Sequence, residues 1–266
     1  MSDIRIIVDN TIAEPYKAEH GLSLAVFHRK ERILFDTGAG AAIRHNLACA
    51  ALTPRDFTKL VLSHGHYDHS GGIAEILPEM TDAEIYLAPG ADITRFSRHE
   101  GRGIRDLSMR QDAKDLLANH AHLHQVKTFT EIADGVFLTG PIPRITSEDT
   151  GGPFFLDKSG NLPDTITDEQ AMLLDSGILI QGCCHAGIIN TLEYCRICAP
   201  QIHIHTIIGG LHLLHASEER LKQTADHLLA QGLQKLLPLH CTGENAVAYL
   251  KKRLGCGIVA SLLCSR

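Results

Sequence analysis

The segment His64-Gly65-His66-Tyr67-Asp68-His69 sets three imidazoles and one carboxylate within six residues, and Ser70-Gly71-Gly72 follows it. Imidazole and carboxylate are ligand types that suit zinc, and they also serve iron or manganese. So short a turn cannot easily aim all four groups at one ion. It can serve two neighbouring divalent ions, with His64 and His66 on one and Asp68 and His69 on the other. Each ion then needs donors from elsewhere in the chain, and His185 and His240 are the candidates. Two ions a few ångströms apart lower the pKa of a bridging water and stabilise a developing oxyanion. The 17 histidines of this 266-residue chain justify the search for ligand spacing.

Such residues work together only if the fold gathers them. Lys59 to Ser63 reads as a buried strand running straight into His64. Gly177 to Gly182 reads as a strand ending at Cys183-Cys184-His185, Ile202 to Ile208 as one ending near His212, and Lys235 to Leu239 as one ending at His240. Ligands gather at the carboxyl ends of strands in open α/β sheets, so residues distant in sequence can meet there. Helices are expected over 41–52, from Gly71, over 188–198, over 216–232 with Ser217 as N-cap, and over 243–254. Further strands are expected at 4–8, 22–27, 32–35, 84–88 and 171–174. The alternation predicts an α/β protein of two packed sheets with helices outside, a four-layer α/β/β/α sandwich. Residues 90–165 read differently. They carry Arg95, Arg98, His99, Arg102, Arg105 and Arg110, then a Gly/Pro-punctuated stretch, with one strand at 135–139. We expect a helical and loop insertion within a single 1–266 domain, lying over the active site.

Composition narrows the function classes. Hydrophobic residues make up 44% of the chain, enough for a sizeable core, and the formal charge is −6 with both signs interspersed. This balance gives no reason to expect nucleic acid or a membrane surface as partner. No apolar run reaches the roughly eighteen residues that span a bilayer. The opening residues lack a signal peptide's basic flank and apolar stretch, so a cytoplasmic location is expected. A homo-oligomer is compatible with all of this. Eight cysteines are scattered, Cys264 among them, and a cytoplasmic protein keeps them reduced. Cys195-Arg196-Ile197-Cys198 has CxxC spacing but reads as two small helix residues; the Cys183-Cys184 pair and Cys241 draw notice because they adjoin histidines.

These motifs resemble those of the metallo-β-lactamase-fold superfamily. Asp36 in Phe35-Asp36-Thr37-Gly38 matches its first motif, and the resemblance implies that this carboxylate supports the metal site from behind the ligands. His64, His66, Asp68 and His69 match the second. His185 matches the third, a histidine on the first metal, and His240 the last, a histidine on the second metal. The chain resembles in particular a branch whose archaeal members are named dihydropterin-ribofuranosylaminobenzene 5′-phosphate synthases. The matching stretches include Glu19-His20-Gly21, Pro143-Arg144-Ile145-Thr146, Gly182 to Gly187, Ile208 to Leu213 and His240-Cys241-Thr242-Gly243. The resemblance implies a hydrolase acting on a small phosphoester or related anion, or alternatively the synthase reaction. A di-iron redox protein and a non-catalytic sensor are further alternatives. One departure stands out. The superfamily commonly places a metal-bridging aspartate after the strand that follows the third motif, and Ile207 to His212 holds no carboxylate. Either His212 approaches the metals instead, as a catalytic residue beside Asp68, or water alone bridges them. For the substrate, His20, Arg144 and the helix start at Gly187 are the candidate contacts.

Overall fold

The computed structural model describes residues 2–98, 101, 103–148, 150 and 152–260, so His99, Arg102 and Cys264 lie outside the described residues. Strands β1 (Asp3–Val8), β2 (Ser23–His28), β3 (Glu31–Phe35), β4 (Lys59–Val61) and β5 (Glu84–Leu87) make most of the first sheet. β6 (Phe96–Arg98) and β7 (Ile104–Asp106) leave it for a small ribbon, and β8 (Leu123–Gln125) returns to pair with β5. β9 (Thr130–Ala133) and β10 (Val136–Leu138) begin the second sheet, and β11 (Phe154–Phe155) joins β6 in the ribbon. β12 (Ala171–Leu174), β13 (Ile178–Gln181), β14 (Thr206–Gly209) and β15 (Lys235–Pro238) complete the second sheet. The helices are α1 (Ile43–Cys49), α2 (Tyr67–Ser70), α3 (Ile73–Ile76), α4 (Gln111–Ala118), α5 (Ile188–Cys198), α6 (Glu218–Ala230) and α7 (Glu244–Leu254).

Three apolar layers separate four structural ones. Side chains alternate across a strand, so Leu34 faces α1, α3 and α4 while Ile33 and Phe35 face the other sheet. In β12, Ala171 and Leu173 meet α5, α6 and α7, whereas Met172 and Leu174 meet the first sheet. Each fully buried aliphatic side chain contributes about 1.5–3 kcal/mol. Burial on both faces explains the continuous apolar runs of the central strands. The expected four-layer sandwich is the observed one. Strands β3, β4 and β5 run parallel, as do β13, β14 and β15, so the carboxyl ends within each set share one edge.

The structure differs from expectation in two places. β14 begins at Thr206, later than the strand expected from Ile202. The His205 backbone is taken up in a turn: its amide donates to Gly177 O, and its carbonyl accepts from Gln234 and Lys235. The 90–165 region holds one helix, α4, and is otherwise short strands and loops. Arg95 accounts for part of this order. It is fully buried, its Nε donating to Asp164 at 2.7 Å and its Nη2 to Asp168 at 2.5 Å. Asp168 also accepts the Gly65 amide at 2.9 Å, which ties this region to the histidine turn. Among the described residues, no helix is long and apolar enough to cross a membrane.

Candidate metal centre

Asp36 follows β3, His64 follows β4, Cys183 and His185 follow β13, His212 follows β14 and His240 follows β15. The shared edge brings them together. Asp36, Cys184, His212 and His240 have φ of 58°, 64°, 49° and 48°, the left-handed region that non-glycine residues seldom occupy. Such conformations cluster at functional sites, where the surrounding structure holds them.

Two groups of donors converge. In the first, His64 Nε2 lies 3.0 Å from His66 Nδ1, and the His185 ring is centred 4.8 Å from that of His64 and 5.0 Å from that of His66. In the second, Asp68 Oδ2 lies 3.3 Å from His240 Nε2 and 4.0 Å from His69 Nε2, and the two imidazole nitrogens are 3.3 Å apart. Two nitrogens on one tetrahedral zinc, each about 2.0–2.1 Å from it, stand about 3.3 Å apart. The observed spacings therefore fit cations. His185 Nε2 is buried with no hydrogen-bond partner among the described residues, as a metal-directed lone pair would be.

Hydrogen bonds behind the donors set their tautomers. Asp36 accepts from the Ser63 amide and hydroxyl, each at 2.7 Å, and from His69 Nδ1 at 2.7 Å, leaving His69 Nε2 as the lone pair. His64 Nδ1 donates to Ser63 Oγ at 2.9 Å. His240 Nδ1 donates to Asn10 Oδ1 at 2.9 Å, and its amide donates to Asp9 at 2.8 Å. Burial holds His64, His66 and His185 below the usual imidazole range, His66 at about 3, so all three rings are neutral, the form in which an imidazole can bind a metal. Burial opposes protonation of His69 too, but Asp36 and Asp68 push it up overall. Burial alone would raise Asp68; His69, His20 and His240 instead hold it well below the usual carboxylate range.

The donors open into a cavity of about 230 Å³. His20 lines it, with Nε2 3.2 Å from Asp68 Oδ2. His212 lines it as well, its ring centred 4.4 Å from that of His185 and its Nδ1 buried without a partner. The ribbon and its loops contribute Ser97, Arg105, Leu107 and Phe154 to the wall.

Two expected substrate contacts lie in the framework instead. Arg144 donates to Thr150 Oγ1 at 2.9 Å, to the His185 carbonyl at 3.0 Å and to the Thr165 carbonyl, which occupies its guanidinium. The amides at the start of α5 are already capped. Glu169 accepts from His185 and Ala186, and Glu148 accepts from Ile189 at 2.9 Å and Asn190 at 3.2 Å. A Cβ at Gly187 would stand 2.1 Å from Glu148 Oε2, so the anion expected there is a carboxylate of the chain itself. Besides Arg105, the cavity is reached by Arg220, in the first turn of α6. It is 8% exposed, and its Nε has no partner among the described residues. An amphipathic helix gives no outward sign of that.

Cys183 was noticed in the sequence but given no role. Its Sγ is 3.1 Å from His69 Nε2. It shares a cluster with His64 and His185 and a second with His69 and His240, donor atoms within 4.8 Å of one another in each. The only signal was its place two residues before His185 at a strand end. Asp9 and Asn10, just beyond β1, could have been found by the same strand-end logic.

Comparison with known proteins bears on the family and the fold. The sequence model of the Metallo-beta-lactamase superfamily matches residues 17–147. A Methanocaldococcus jannaschii protein, MJ0448, is 29% identical over 94% of each chain. A second protein of that organism is 27% identical over 87% of this chain and 84% of its own; it is named 7,8-dihydropterin-6-methyl-4-(beta-D-ribofuranosyl)-aminobenzene-5′-phosphate synthase. The crystal structure of Tm1679, described as a metal-dependent hydrolase of the beta-lactamase superfamily, superposes with a TM-score of 0.81 at 27% identity, covering 97% of this chain and 94% of that one. Fold, motif geometry and relatives coincide: the chain is a metallo-β-lactamase-fold protein, with that superfamily's sequence pattern over residues 17–147.

Proposed function

We propose that the chain is a two-metal hydrolase acting on a small anionic substrate, a phosphoester or a close relative. The observation that supports this most is the pair of donor groups meeting at one cavity with the spacing cations require. In this reading His64, His66 and His185 hold the first ion, and Asp68, His69 and His240 hold the second. Zinc matches the donors best, with iron or manganese as alternatives. When bound, the ions lower the pKa of water and offset charge that develops on the reacting centre.

The chain's own residues supply the rest. Asp36, through His69 Nδ1, and Asn10, through His240 Nδ1, keep Nε2 of both rings pointed inward. Asp68 orients the attacking water, steadied by His20. His212, at the cavity wall, passes a proton from its ring to the departing oxygen. Arg220, with Arg105 at the wall, takes the anionic group. The 266 residues act as one domain, with the 90–165 region as the wall that selects the substrate. The test is metal analysis with a panel of phosphomonoesters and phosphodiesters, on the wild type, His64→Ala and His240→Ala. We expect about two ions in the wild type, one fewer in each variant, and loss of turnover. Unchanged metal content in both variants overturns the assignment.

A second reading is a pterin-type synthase. It is favoured by the named relative at 27% identity and by Tyr67 and Phe154, which give the cavity faces for an aromatic ring. Incubating a dihydropterin with an aminobenzene ribosyl phosphate and finding no condensed product excludes it.

A further inference from the structure

The expected bridging carboxylate has no room where the superfamily commonly supplies it. Beyond β14 the chain runs Gly210-Leu211-His212. A Cβ at Gly210 would stand 2.5 Å from the Gly182 carbonyl oxygen and 2.6 Å from Cys241 Sγ. No side chain fits at Gly210, and the nearest ring, that of His212, packs against His185 with centroids 4.4 Å apart and shares a donor cluster with Cys183 and Cys241 rather than with His69 and His240. The space between the two donor groups is reached instead from β13, by Cys183. This residue is 4% exposed, and its Sγ is 3.1 Å from His69 Nε2, about the separation of two ligand atoms on one ion. It is also the one residue common to the His64/His185 and the His69/His240 donor clusters.

We propose that Cys183 Sγ is the shared ligand of the two ions, a thiolate standing where related sites use a bridging aspartate. The inference rests on the two-metal reading above. Cys241 is a neighbour of this ligand, its Sγ donating to the Cys183 carbonyl at 3.4 Å. Binding forms two metal–sulfur bonds, and the thiol proton leaves to solvent. Thiolate is a soft ligand, so the site takes zinc, cobalt or iron in preference to magnesium or manganese, which favour oxygen donors.

The experiment loads metal-free protein with cobalt(II) and follows the near-ultraviolet sulfur-to-cobalt charge-transfer band. Wild type, Cys183→Ser, Cys183→Asp and Cys241→Ser are compared after circular dichroism shows each to be folded. The band should grow to saturation at two equivalents in the wild type and in Cys241→Ser. It should be absent from Cys183→Ser and Cys183→Asp, while Cys183→Asp still binds two equivalents because a carboxylate replaces the thiolate. X-ray absorption of the zinc-loaded wild type should show sulfur at about 2.3 Å, which decides the matter even if no Cys183 variant folds. Two equivalents bound with no sulfur contact, or a band lost in Cys241→Ser and kept in Cys183→Ser, overturns the proposal and leaves the two-metal reading intact. Fewer than two equivalents in the wild type defeats both.

Discussion

The two donor groups are held in different ways. Around Asp68, His69 and His240, each donor has a second protein partner: His20 on Asp68, Asp36 on His69, and Asn10 on His240. Around His64, His66 and His185, only His64 is tied from behind, by Ser63. His66 Nε2 and His185 Nε2 have no partners among the described residues, and packed rings do most of the positioning. The first arrangement is set before an ion arrives. The second brings neutral rings together with less support behind them, so under the proposed reading it depends more on the cation. Partners behind a ligand fix its tautomer and raise its basicity, so the two positions should differ in how they respond to loss of metal and of support.

The largest effect is expected from removing ligands. His185→Ala and Asp68→Ala should each lose one equivalent of metal and at least about 100-fold in turnover, given what loss of one charge-stabilising group costs. Equal loss of both ions in either variant breaks the comparison. Chelation comes next. Each ion held at a thousand times its Kd adds about 4 kcal/mol, so stripping both, about 8 kcal/mol, should lower the melting temperature by about 15 °C in a chain of this size. Amide exchange should then rise more around His64, His66 and His185 than around His69 and His240. Asp36→Asn should weaken the second ion by about 10–100-fold and the first by less, read by competitive metal titration. Arg220→Ala should raise KM for an anionic substrate by roughly 10-fold with little change in kcat, as loss of a uniform binding contact does. Arg144→Ala is the contrast, destabilising the fold by about 1–3 kcal/mol and leaving KM alone. The smallest effect belongs to Ser63→Ala. It should weaken the first ion by a few-fold, since His64 loses a neutral hydroxyl partner, and spare the second, where Asp36 still holds His69.

The sequence was most informative where the chemistry is local. Six residues after one strand carry four chemistry-bearing side chains, and strand-end reasoning linked them to His185 and His240, over a hundred positions away, which the structure brings beside them. The four layers followed from alternating apolar strands and helices. What stayed hidden depends on contacts between distant residues. Cys183 drew notice only for the histidine beside its pair; its closest imidazole contact is His69, 114 positions earlier. Arg95 read as one of several loop arginines, yet it is buried against Asp164 and Asp168, an arrangement that burial alone would penalise and that pairing makes tolerable. Arg144 was expected at the substrate and Arg220 carried no expectation, because an engaged guanidinium and one that reaches a cavity look identical in a string of letters.

The four left-handed residues at Asp36, Cys184, His212 and His240 bear on how this site can evolve. Asparagine, aspartate, histidine and glycine enter that backbone region far more readily than other types, while β-branched residues are outliers there. Drift at these positions is thus channelled toward a small alphabet, much of it able to bind metal. In a saturation library, Asn and Gly should survive a folding screen at position 240 while Val and Ile drop out, whatever happens to activity. The backbone itself biases its mutational neighbours toward new metal chemistries rather than toward loss of the fold.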